Sequence, residues 1–111
     1  MVNVAAALAK LLNTDRMTQM AERVAGRSRM GVWQRTMHQL PTLGPTEARG
    51  YLRARGISTV HEETERLIEQ EGAAIARHQS EIEEAAMQLL IDMISAQVSH
   101  SQAAGSRRRA A

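Results

Sequence analysis

Apolar residues recur at helical spacing along almost the whole chain. Val4, Leu8, Leu11 and Leu12 share one face of a segment that Ala5, Ala6, Ala7 and Ala9 also favour as helix, which predicts a first helix over 2–12. Asn13 and Thr14 end it. Thr14 then serves as N-cap for a second helix, with Asp15 in its first turn, Met17, Met20, Ala21 and Val24 on one face, and Gly26 as its stop. A third short helix is predicted from Met30 to Leu40, closed by Pro41-Thr42-Leu43-Gly44-Pro45. Thr46 caps a fourth that runs to Gly56, weakened by roughly 1 kcal/mol at Gly50.

From Thr59 the pattern lengthens. Thr59 and Glu62 form a capping box, no proline follows, and a long helix is predicted to about Ala104 with Gly105 as its stop. Ile68, Ile75, Ile82, Leu89 and Ala96 recur every seven residues, with Gly72, Gln79, Ala86, Met93 and His100 four places after each. This is a heptad seam with weak places at Gly72 and Gln79. Ser80 and Glu83 make a second capping box, so a break between 72 and 80 is the alternative to one continuous helix. Ile82 to Val98 adds Met87, Leu90, Ile91 and Ile94 off the seam and is apolar nearly all round, so it requires cover on more than one side. Short N-terminal helices are thin cover for a helix of more than ~60 Å. A second copy is therefore the expected cover, with Ile68, Ile75, Ile82, Ala86, Leu89, Met93 and Ala96 as the oligomer interface.

Composition narrows the class. The chain has 111 residues, no cysteine, no phenylalanine, one tryptophan and 18 alanines. That length supports one domain, which excludes a multidomain enzyme, and the absence of cysteine excludes disulfides and thiolate chemistry. The expected fold is all-α: three or four short N-terminal helices followed by one long, breakable amphipathic helix, assembled as a helical oligomer.

Charge divides the chain further. The net charge is only +2, yet residues 1–56 carry +6, residues 57–104 carry −7 and the tail 105–111 carries +3. The organisation read from this is a basic short-helix region, an acidic long helix and a basic disordered tail within one structural domain. The ratio of 13 Arg to one Lys reflects coding composition and marks no site. Lys10 follows the apolar residues of 2–12, the wrong order for a secretory signal, and Asp15 and Glu22 interrupt the pattern of an organellar presequence. No run reaches the ~18 apolar residues of a membrane span. A cytoplasmic protein is expected.

Little in the residues points to catalysis. His38, His61, His78 and His100 lack the Glu-x-x-His spacing of helical di-iron sites, and His61-Glu62-Glu63-Thr64-Glu65 lacks the second His of a zinc motif. No phosphate-binding glycine loop is present, and the carboxylate pairs arise from nine acids on one segment. The expectation is no enzyme, no cofactor and no metal.

Two non-catalytic readings compete. In the first, the basic half is neutralised by the acidic half, within a chain or between copies, and the protein is a helical interaction or assembly module that self-associates through the 60–100 helix and engages a further protein partner. Trp33 reads as a packing residue there, with Met30 and Met37 beside it as candidate anchors. In the second, residues 14–40 form a helix-turn-helix around Gly26, Ser28 caps a basic second helix packed through Val32, and the long helix dimerises. Arg27, Arg29, Gln34 and Arg35 would then face nucleic acid, with Arg49, Arg53 and Arg55 adding phosphate contacts. Membrane-surface binding through 1–12 is weaker still, with one cation on that segment.

Overall fold

A computed structural model of the chain describes the backbone of residues 4–110 and the side chains of residues 14–104. It is all helical: α1 (Val4–Thr36), α2 (Pro45–Glu71), the single turn α3 (Ala73–Ala76) and α4 (Gln79–Ala110), with a 3-10 turn at Leu40–Thr42 between α1 and α2. The three long helices run up, down and up. Each packs on both others, giving an elongated bundle of 63 × 30 × 21 Å.

The N-terminal half departs from the predicted short helices. α1 is one helix of 33 residues, passing through Asn13, Thr14, Gly26 and Gly31 without a turn. A glycine inside a helix costs roughly 1 kcal/mol, and α1 offsets this by burying Met20, Ala21, Val24, Ala25 and Val32 against the other helices. The face of the predicted first helix, Val4 to Leu12, lies outside the described side chains. Ser28 caps nothing: it is buried mid-helix and donates its hydroxyl to the Val24 carbonyl at 2.7 Å. Thr36 and Thr64 bond Val32 and Val60 in the same way, at 2.8 and 2.7 Å. With no turn at Gly26, residues 14–40 are not a helix-turn-helix.

The second half differs as well. α2 begins at Pro45 after Gly44, and the Ala48 amide donates to the Gly44 carbonyl at 2.8 Å. It runs on through Gly56 and Thr59, where a stop and a cap were expected. Gly56 instead lets α4 come close: a Cβ there would lie 3.3 Å from Leu90 Cδ2 and 3.7 Å from the Met87 sulfur. The long helix breaks at Gly72, the weak place in the seam. Gly72 has φ 98°, and its amide closes α2 on the Ile68 carbonyl at 2.8 Å. Ile75 plugs the turn from inside. At its far end α4 passes Gly105 and reaches Ala110, since one glycine among Ala, Ser, Gln and Arg does not stop a helix; side chains of the tail arginines lie outside the described residues.

The requirement that 82–98 be covered on two sides is met inside one chain. α1 covers one side of α4 and α2 the other, so Ile82, Ala86, Met87, Leu90, Ile91 and Ile94 are all buried. Within one chain the residues expected at an oligomer interface divide into two groups. Ile75, Ile82 and Ala86 are core residues and present no surface to a second copy. Ile68, Leu89 and Met93 are half-buried against that core, and Ala96 alone of the seven is exposed. The cover looked thin in the sequence because α1 was read as three short helices.

Candidate interaction surfaces

Packing three helices side by side brings the basic and acidic halves together. Arg49 of α2 reaches Asp92 of α4 at 3.0 Å, and Arg53 donates to both carboxylate oxygens of Glu84 at 3.1 Å. Arg16 and Arg23 of α1 share Glu71 at 3.8 and 2.9 Å. Arg35 donates to the Thr59 hydroxyl at 3.0 Å, and the Arg55 guanidinium sits 5.5 Å from the Tyr51 ring centre. These groups are exposed, so each ion pair contributes under ~1 kcal/mol. Their joint effect is to fix how the helices register.

Four of the six arginines nominated for nucleic acid, Arg35, Arg49, Arg53 and Arg55, are thus engaged within the chain. Arg27 and Arg29 have no ion-pair or hydrogen-bond partner among the described residues, and Gln34 is exposed beside them. They project around one continuous helix. No second helix crosses a backbone to hold them in a groove.

His61 gains partners that its own helix only half supplies. Its Nε2 lies 2.9 Å from Glu65 one turn on, and its Nδ1 lies 2.7 Å from Glu83 of α4, which also accepts from Gln79 at 3.0 Å. The hydrogen bond with Glu83, then the charges of Glu83 and Glu65, raise its pKa above 6.5. A raised folded pKa means that this contact stabilises the bundle fully below 6.5 and is lost as pH climbs through the higher folded value. Urea midpoints are therefore expected to fall over that window in the wild type and to lose this slope in His61→Gln. An equal slope in the variant would remove His61 as its source.

The apolar surface is unevenly distributed. Among the described residues, the exposed large hydrophobic side chains are Met30 at 58% and Ile57 at 60%. Met30 stands on the outer side of α1, with half-buried Trp33 and Met37 one and two turns on. Ile57 borders a groove of about 390 Å³ between α2 and α4, lined also by Arg53, Val60, Ser80, Glu83, Glu84 and Met87. Another groove, of about 290 Å³, lies where the α1–α2 loop meets α4, between Leu40, Leu43, Leu52 and Val98.

Met30 is legible in the sequence as a candidate anchor and Trp33 as a packing residue, and Trp33 does pack partly against the core. Ile57 was missed because it fell in an assumed connection, and Glu83 because nothing in the sequence sets the register of α2 on α4. No group of three or more His, Asp or Glu among the described residues is placed to hold a metal ion, and none of the described helices is long and apolar enough to cross a membrane. Comparison with protein families, curated proteins and solved structures finds no match to this chain.

Proposed function

We propose that this chain is a non-catalytic helical interaction and assembly module whose binding face is the outer surface of α1. The observation that carries this reading is the exposed Met30 beside Trp33, flanked by Arg27 and Arg29, which have no partner among the described residues. An aromatic and a flexible thioether ringed by guanidinium groups is the composition of a protein-binding patch. Self-association accords with the same chemistry, because the charges that neutralise each other inside the chain can also do so between copies. Nucleic acid is the weaker reading, since Arg16, Arg23, Arg49 and Arg53 are already ion-paired within the chain and α1 passes Gly26 without the turn that a helix-turn-helix needs.

Met30→Glu tests the reading. Met30 is exposed, so the substitution is expected to leave stability within about 0.5 kcal/mol while sharply weakening association in sedimentation at high chain concentration. Association equal to that of the wild type would remove α1's outer face as the binding surface.

A further inference from the structure

The outer face of α1 and the groove between α2 and α4 lie on opposite sides of the bundle, because each long helix touches both others. One is a ridge, the other a trough. Their chemistry is complementary too. The ridge carries Met30 with Arg27 and Arg29, which have no partner among the described residues, and the trough carries Ile57 with exposed Glu84, bound by Arg53, and Glu83, which accepts from His61 and Gln79 through Oε1 alone.

We infer that the partner of the α1 face is a second copy of this chain, whose α2–α4 groove receives α1 as a fourth helix. This rests on α1 as the binding face and adds its occupant. A groove between two packed helices is shaped to take a third helix at about 8–10 Å from each axis, and α1 presents an uninterrupted ridge for it. Seating it covers Met30 and Ile57, the two large apolar side chains left exposed in the described part of one chain. It also sets Arg27 and Arg29 beside the second carboxylate oxygen of Glu83 and the exposed Glu84, where they share these carboxylates with His61 and Arg53. The contact is heterologous: ridge on groove leaves a free ridge and a free groove at the two ends. Assembly is then open-ended, not a closed two-fold dimer, and salt weakens it by screening the rim charges.

Two variants separate ridge from groove. Met30→Glu spoils the ridge and leaves the groove intact; Ile57→Lys places a like charge opposite the arginines and leaves the ridge intact. Each residue is exposed, so helicity and melting of the isolated chains serve as the folding control. In sedimentation velocity at low salt the wild type is expected to grow with concentration. Either variant alone is expected to weaken association at least about tenfold. Mixed in equal amounts, they are expected to form a one-to-one dimer and stop there, since the Ile57→Lys ridge fits the Met30→Glu groove and no other intact pair exists. A mixture that stays at the mass of one chain overturns the inference, as does a wild type that never associates. Association lost in Met30→Glu but unchanged in Ile57→Lys overturns the groove as occupant while leaving α1 as the binding face. Association unchanged in both overturns the two together.

Discussion

Leu90→Ala is expected to lower the stability of the chain by about 2–5 kcal/mol, read as a shift in urea midpoint at constant slope. Leu90 is fully buried at the centre of α4, with its Cδ2 against the backbone of Gly56. Removing its branched end leaves a cavity that the rigid α2 backbone cannot collapse into. Against a total of ~5–15 kcal/mol for a domain of ordinary stability, this is a large fraction. Its neighbour supplies the control. Leu89 lies on the heptad seam but is only half-buried, so Leu89→Ala is expected to cost distinctly less. A seam shared between two chains would give the reverse order, Leu89 costly and Leu90 tolerant. Urea curves of the two variants, collected at low concentration, decide between them.

Gly72→Ala is the second large effect, and it acts through the backbone. Gly72 ends α2 at φ 98° and ψ 178°, a conformation that L residues other than glycine rarely adopt. No atom lies within 4 Å of where its Cβ would go, so the penalty is conformational and not steric. A loss of about 1–3 kcal/mol from the folded monomer is expected. The strain has an outlet: alanine favours helix, and straightening the turn would join α2 to α4, letting α4 dock on a second copy as a swapped dimer. A raised dimer fraction after refolding at high concentration is therefore expected as well. Gly50→Ala is the matched control. Gly50 lies exposed inside α2 with open space around it, so the same change there is expected to stabilise the chain by up to about 1 kcal/mol. Equal effects at the two glycines would contradict the role of Gly72 as the hinge of the turn.

Helical class, the loop at 41–45 and the weakness at Gly72 were legible because periodicity, proline and glycine act locally. Helix length was not. Thr14, Gly26 and Gly56 carry real stop signals, each worth about 1 kcal/mol, and the burial of residues such as Val24, Val32 and Leu90 outweighs them. The apolar character of the seam at 68–96 is legible, but its cover is not: whether Ile82 meets α1, as within this chain, or a second copy depends on a tertiary arrangement that spacing alone does not encode. The charge asymmetry of +6 against −7 anticipated contact between the halves. It could not say that Arg53 meets Glu84, or that Arg27 and Arg29 meet no partner among the described residues, since those outcomes follow from the register of three helices.

Sedimentation of the wild-type chain on dilution, with far-ultraviolet circular dichroism of the same samples, tests most directly whether the core is closed within one chain and assembly is a property of its surface. At the low end a species of 12.2 kDa is expected to keep its full helicity and melt cooperatively, and at the high end salt-sensitive growth is expected. A chain that loses its helix as it dissociates would place Ile82 and Ala86 between copies, and would contradict both.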